Sequence, residues 1–93
     1  MPKLFFSIAA ILSVVKERDI LFLIEFGKQL KKLREEKGFS QAQLAFEAGI
    51  EISQVSRIER GLINTTIANV KLISKILDVP IIKLFEFDVE NEL

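Results

Sequence analysis

From Ile20 onward, apolar residues return every three to four positions: Leu23, Phe26, Leu30 and Leu33. Lys28, Lys31, Lys32, Glu35 and Glu36 fall on the other faces, so this spacing predicts an amphipathic helix. Gly38 ends it as a C-terminal cap, and Phe39 is placed to fold back on it. Ser40 then stands as an N-cap, with Gln43 three residues on completing a capping-box pattern. A second helix is therefore expected over 41–48 and, beyond Gly49, a third over 51–60, closed by Gly61. Leu62-Ile63-Asn64-Thr65 reads as a loop, and Thr66 as the N-cap of a fourth helix with the stripe Ile67, Val70, Ile73, Ile76 and Leu77. The residue before a proline resists the α region, so Asp78-Val79-Pro80 breaks that helix. Pro80 suits the first turn of a short fifth helix reaching Leu84. The fold class this predicts is all-α, with five helices.

Both ends of the chain depart from that pattern. Residues 4–15 are almost purely apolar and stop at Lys16-Glu17-Arg18-Asp19. Twelve residues fall short of the roughly 20 needed to span a bilayer, and no small-x-small cleavage site follows them. The favoured reading is an extra helix or strand that packs on the domain or on a partner chain. Membrane targeting and a segment foreign to the natural protein are the alternatives. At the other end, Phe85-Glu86-Phe87-Asp88-Val89-Glu90 alternates like a half-buried strand, but all its charges are acidic. A frayed acidic tail is favoured there, with strand pairing to a second chain as the alternative. The organisation is thus an apolar extension at 1–19, a single domain at 20–86 and an acidic tail at 87–93.

Composition narrows the chemistry. Ninety-three residues, 49% of them hydrophobic with eight Phe, allow one domain with a small core. Cys and His are both absent, which removes disulfides, thiolate chemistry, His-based acid–base catalysis and the usual zinc ligand sets. No catalytic residue, cofactor or metal is expected, and the cytoplasm is the expected location. The formal net charge of zero hides an uneven distribution. Residues 28–37 carry five bases against two acids, the last ten residues carry four acids and no base, and residues 1–83 are left at +4. Lys28, Lys31, Lys32, Arg34 and Lys37 are expected on one solvated basic face, which would attract phosphates at long range.

The segment from Gln41 to Gly61 concentrates the functional signal. It reads as two short helices joined through Gly49, with the small Ala45 where another backbone must come close. Val55 and Ile58 belong to the core, and Ser53, Gln54, Ser56 and Arg57 are left for solvent or a ligand. Two helices crossing through a short Gly-containing turn make a helix-turn-helix, whose second helix fits the DNA major groove.

Over roughly residues 22–86 the chain resembles the lambda-repressor-like, or XRE/Cro-type, helix-turn-helix family. The likeness rests on Phe26 to Gln41, on Leu44-Ala45 and Ala48-Gly49-Ile50, and on Val55 to Gly61. It closes on Leu77-Asp78-Val79-Pro80 with Leu84-Phe85. Asn64-Thr65 departs from the family's usual Asn-Pro, Ile52 stands where a polar residue is common, and residues 1–19 have no counterpart.

The resemblance implies that Gln41, opening the second helix, hydrogen-bonds a DNA phosphate, where free N–H groups and the helix dipole favour an anion. The plain alternative is an exposed first-turn residue. Glu51, Ile52, Ser53, Ser56 and Arg57 fall on the outward or leading face of the third helix, and Gln54 is a further adaptable donor. Arg57 is suited to guanine or phosphate, against a surface ion pair with Glu51 or Glu59. Glu51 can accept from cytosine N4 or repel phosphates, and Ile52 packs in the turn or meets a thymine methyl. Asn64 and Thr65 open the loop that in the family follows the sugar-phosphate backbone, with Arg60 alongside. Glu59 has a structural alternative, in which it holds a basic residue of the first helix or caps the loop. Ile81, Ile82, Phe85 and Phe87 are the candidate dimer surface, and Phe5, Phe6, Ile8, Ile11 and Leu12 need cover for the same reason, the alternative being that the N-terminal segment covers the fifth helix within one chain.

The function these features predict is a sequence-specific regulator of transcription, a repressor, that binds double-stranded DNA as a homodimer on a near-palindromic operator, without membrane association. The rival is a protein-interaction module of the same fold, such as a toxin-binding antitoxin, with weak or no DNA binding.

Overall fold

Nothing between Leu4 and Phe26 interrupts a helix: the stretch holds no proline and no glycine, and Lys16, Glu17 and Arg18 are good helix formers. The computed structural model describes residues 2–89, with side chains from Asp19 onward. In it this stretch and the predicted first helix are one element, α1 (Pro2–Glu36). Pro2 sits in the first turn, where its missing N–H costs nothing. At 1.5 Å per residue α1 is about 52 Å long, which accounts for the molecule's 54 Å long axis. The backbone therefore crosses the boundary drawn at residue 19 without a break. A change from an all-apolar to an amphipathic pattern alters what a helix packs on, not whether it continues. Phe5, Phe6, Ile8, Ile11 and Leu12 lie outside the described side chains, and Glu90 to Leu93 lie outside the described residues altogether.

Three further α-helices follow: α2 (Gln41–Ala48), α3 (Ile52–Glu59) and α4 (Ile67–Leu77). Each begins at an extended N-cap residue (Ser40, Glu51 and Thr66). Thr66 Oγ1 accepts from the Asn69 N–H at 3.1 Å. Phe39 folds back as expected, its N–H donating to the Arg34 carbonyl at 3.0 Å. α4 closes on Asp78 in the left-handed region at φ 56°, and the Val79 N–H returns to the Ser74 carbonyl at 3.0 Å.

The expected fifth helix is corrected by the structure: Ile81–Phe85 is a five-residue 3-10 turn, so the described residues form four α-helices and this turn. Pro80 precedes it with an extended ψ of 143° instead of joining its first turn. Five residues make too few i→i−4 bonds to offset helix nucleation. The tighter three-residue bond, Lys83 N–H to Pro80 carbonyl at 2.9 Å, is what remains. Leu84 anchors the turn in the core, and Gln29 Nε2 ties it to α1 by donating to the Lys83 carbonyl at 2.7 Å. No strand occurs among the described residues, and Phe85-Glu86-Phe87 instead turns back on α1. The Phe87 ring packs tilted 5.4 Å from that of Phe22, and the Phe85 ring tilted 5.2 Å from that of Phe26, so the acidic tail starts from a docked aromatic pair.

The core is one cluster drawn from every element: Phe26, Leu30 and Leu33 of α1, Leu44 and Ala45, Val55 and Ile58, then Val70, Ile73, Leu77 and Leu84. Burial of each large apolar side chain contributes about 1.5–3 kcal/mol. Ile67 departs from its predicted place in the α4 stripe. It opens the helix, ahead of the turn that meets the core, and is 84% exposed. Ser74 takes an inward position on α4 at tolerable cost, because its Oγ donates to the Lys71 carbonyl at 2.7 Å.

Candidate nucleic-acid interface

The α2–α3 unit is held by local chemistry at its ends and by close backbone contact at its back. Ser40 Oγ accepts from the Gln43 N–H at 3.0 Å, and Gln43 Oε1 accepts from the Ser40 N–H at 2.7 Å, a complete capping box. Gly49 ends α2 in the left-handed region at φ 67°, a conformation that costs a glycine nothing, and sets the turn into α3. Behind the unit, α1 passes the C-terminal end of α3 so closely that a Cβ on Gly27 would fall within van der Waals radii of the Ile58 and Glu59 carbonyl oxygens. A glycine in the middle of a helix is the price of that approach.

Val55, Ile58 and Glu59 face inward on α3. The opposite face carries Ser53 and Arg57, both exposed, with Gln54 and Ser56 half-buried beside them. α3 starts one residue later and ends one earlier than its pattern suggests, so Glu51 and Arg60 are its caps. Glu51 makes no capping bond and stays exposed at the leading end, next to Ile52, which is half in solvent. Arg60 curls back to the Ser56 carbonyl at 3.3 Å, a favourable place for a cation at a helix C-terminus. Arg57 forms no ion pair among the described residues, because Glu59, one of its two expected partners, is committed elsewhere.

That commitment corrects the basic-face expectation. Arg34 is not on a solvated face but buried, donating through Nε and Nη2 (3.1 Å) to the Glu59 carboxylate and through Nη1 (2.7 Å) to the Phe39 carbonyl. The alternative in which Glu59 holds a base of the first helix is thus the observed arrangement. The hydrogen bond to Glu59 raises the Arg34 pKa above its ordinary value, and burial opposes it only in part. The charge is therefore fixed at any working pH. Of the other bases of this stretch, Lys28 pairs with Glu25 at 3.2 Å, while Lys31, Lys32 and Lys37 remain exposed without an ion-pair partner among the described residues.

Gln41 is half-buried at the start of α2, its Nε2 donating to Glu59 Oε1 at 2.9 Å. The α3–α4 loop presents Asn64 to solvent and Thr65 half-buried, with Thr65 Oγ1 held by Asn69 Nδ2 at 3.2 Å. Gln41, Ser53, Arg57 and the loop thus belong to the same α2–α3–loop unit. Ile81, Ile82 and Phe85 lie on the 3-10 turn and are 44%, 65% and 40% exposed, and Phe85 lines one hollow with Asn64 and Thr65 of the loop. Phe87 is half-buried against Phe22 and Phe85. No group of acidic side chains able to hold a metal occurs among the described residues. No helix among them is long and apolar enough to cross a membrane.

The close approach at Gly27 lies outside the sequence reading, as does the identity of Arg34 as the base that Glu59 holds. Both had a signal in the sequence: Gly27 is a helix-interior glycine, and Arg34 shares the i, i+4 face of Leu30 beside Leu33.

A profile of the helix-turn-helix family matches residues 30–84, more than half the chain. The chain belongs to this helix-turn-helix family. Within it, the XRE type suggested by the sequence is the type of its relatives. It is 39% identical over 67 residues to the HTH-type transcriptional regulator SinR of Bacillus subtilis (strain 168), a match over 71% of this chain and 60% of SinR. The chain thus spans about 60% of that regulator's length. Among solved structures, the restriction-modification controller protein C.AhdI from Aeromonas hydrophila superposes with a TM-score of 0.66 at 40% identity, over 68% of this chain and 96% of that one. SinR, a master regulator for biofilm formation, solved in complex with DNA, superposes with a TM-score of 0.62 at 39% identity, over 66% of this chain and 98% of that one.

Proposed function

We propose that this helix-turn-helix chain is a sequence-specific regulator of transcription that binds double-stranded DNA, with α3 laid in the major groove and repression as its outcome. The observation that carries this reading is the outward face of α3: Ser53, Ser56 and Arg57 are accessible, and Arg57 has no ion-pair partner among the described residues. Family membership and the DNA complex of the similar SinR support it. Gln41 and the loop residues Asn64 and Thr65 take phosphates, with Arg60 at the same edge. Glu51, Ile52, Ser53, Gln54, Ser56 and Arg57 form the surface nearest the bases. A bidentate Arg57–guanine contact is worth about 1–3 kcal/mol of discrimination.

One copy offers a small reading surface, so affinity comes from two. The exposed Ile81, Ile82 and Phe85, with Phe87 behind them, are the self-association surface of a homodimer. Two recognition helices then sit roughly 34 Å apart on a near-palindromic site. The location is the cytoplasm, and no catalysis, cofactor or metal is assigned.

A protein-interaction role is the second reading, favoured by Glu51 and Ile52 at the leading end of α3 and by Phe46, 84% exposed on α2. Salt separates the two. Duplex affinity that falls by orders of magnitude from about 50 to 200 mM salt supports the DNA reading. Selection from random duplexes by anisotropy supplies the direct test: an enriched sequence whose binding weakens in Arg57→Ala is expected. No enriched sequence, with Arg57→Ala unchanged, overturns it.

A further inference from the structure

The side-chain amide of Gln41 has two unlike ends. Its nitrogen carries two N–H donors and its oxygen only accepts, and rotation about the last bond exchanges them. Toward a phosphate the nitrogen end attracts and the oxygen end repels. An unrestrained surface glutamine offers both. In this chain the amide is not unrestrained, because its nitrogen sits 2.9 Å from Glu59 Oε1.

An ionised carboxylate can only accept, so the amide oxygen is excluded from that position. Glu59 lies against a buried guanidinium that holds it in place. Arg34 spans the carboxylate with Nε and Nη2 and anchors its remaining arm on the carbonyl of Phe39, the residue before the α2 cap. The Glu59 side chain is almost wholly buried, and no buried side-chain polar atom among the described residues lacks a partner. One carboxylate therefore joins α1, α3 and the first residue of α2. The Gln41 nitrogen gives one of its protons to Glu59 and keeps the other. Beside it, the backbone N–H groups of Gln41 and Ala42 have no partner within the described chain, since Ser40 is occupied by Gln43 and Leu44.

We propose that Glu59 is the positioning residue of the phosphate contact: with Arg34 holding its carboxylate, it fixes the Gln41 amide so that an N–H joins the open end of α2 in facing a DNA phosphate. This rests on the DNA-binding reading and adds to it the group that sets the polarity of one contact. The buried Arg34–Glu59 pair thereby has a role beyond holding α1 to α3.

The test combines two measurements on the full chain. In the free protein, side-chain ¹⁵N–¹H spectra should show one Gln41 amide proton shifted and slow to exchange, unlike both protons of the exposed Gln43. Gln41 amide protons that exchange as freely as those of Gln43 overturn the proposal. In anisotropy titrations with a short mixed-sequence duplex at low salt, Gln41→Ala should weaken binding about tenfold. The same change made in Arg34→Met/Glu59→Leu, which removes the charged pair together and leaves no orphaned buried ion, should cost almost nothing. Equal losses in both backgrounds mean that Glu59 is structural only, and they overturn the proposal while leaving DNA binding intact. If the wild-type chain binds no duplex, the DNA reading itself falls, and the phosphate role of Gln41 with it. Should the double variant fail to melt cooperatively, the amide spectra of the wild type decide alone.

Discussion

The outward face of α3 and the exposed face of the 3-10 turn lie over one core, but opposite chemistry builds them. On α3 the inner face is sealed, while the outer face stays largely polar apart from Ile52 at its leading end. Val55 and Ile58 enter the core, Glu59 is locked to Arg34, and short polar side chains with one unpaired arginine are left outside. On the 3-10 turn the reverse holds. Leu84 alone is sunk in the core, while Ile81, Ile82 and Phe85 stay in contact with water. The first surface keeps its polar groups uncommitted, as a polyanion requires. The second leaves apolar area that water does not favour, as an interface between proteins requires. Both can occur in so short a chain because a single core residue suffices to anchor a turn, whereas α3 needs an inner face to hold it rigid.

The largest effect is expected where the α3 surface is tied to the rest. Glu59→Ala leaves the Arg34 guanidinium buried without its carboxylate, a loss of about 3–5 kcal/mol. Domains of this size are stable by only about 5–15 kcal/mol, so thermal denaturation followed by circular dichroism should show a collapse in Tm. Binding should be lost along with the fold. An unchanged Tm would mean that the two faces of α3 are not mechanically linked.

The comparison is sharpest in variants that remove one surface and spare the other. Ile82→Glu puts a charge in the apolar patch and should weaken self-association by at least about 2 kcal/mol, read by sedimentation as a shift from dimer to monomer at unchanged Tm. Arg57→Ala does the converse. Duplex affinity should fall by about 1–3 kcal/mol, with Tm and sedimentation unchanged. If Arg57→Ala shifted the oligomeric state, or Ile82→Glu left it alone, the division of labour between the two surfaces would be wrong.

Most of the domain was legible because local rules specify it. The apolar stripes, the Ser40–Gln43 capping box, the left-handed Gly49 and the inward Val55 and Ile58 follow from spacing and from residue type. Features that depend on a partner distant in sequence were harder to read. Arg34 looks like one of five solvated bases until Glu59, far along the chain, is known to face it. Gly27 looks like a weak point in a helix until the α3 carbonyls are seen against it. Length misled in one place: Ile81–Phe85 has a helical pattern but too few residues to make an α-helix. The change of pattern at Lys16–Asp19 does not end α1. Of the candidate site, the identity of the outward α3 residues was accessible from periodicity. The state of Gln41 was not, because its partner lies on another helix.

The smallest expected effect concerns how much of the α3 surface depends on the end of α2. Ser40→Ala removes the side-chain acceptor for the Gln43 N–H and breaks the reciprocal capping box. Such caps are worth about 1 kcal/mol, or roughly 4–8 °C in Tm for a domain of this size. The variant should remain folded and should associate like the wild type, since the 3-10 turn does not touch the cap. Its duplex affinity should drop only slightly, because Glu59 still holds Gln41 and α3 still packs through Val55 and Ile58. A fall in affinity as large as that of Arg57→Ala would move the centre of the DNA contact from α3 to the start of α2. A change in sedimentation would instead couple the end of α2 to the 3-10 turn.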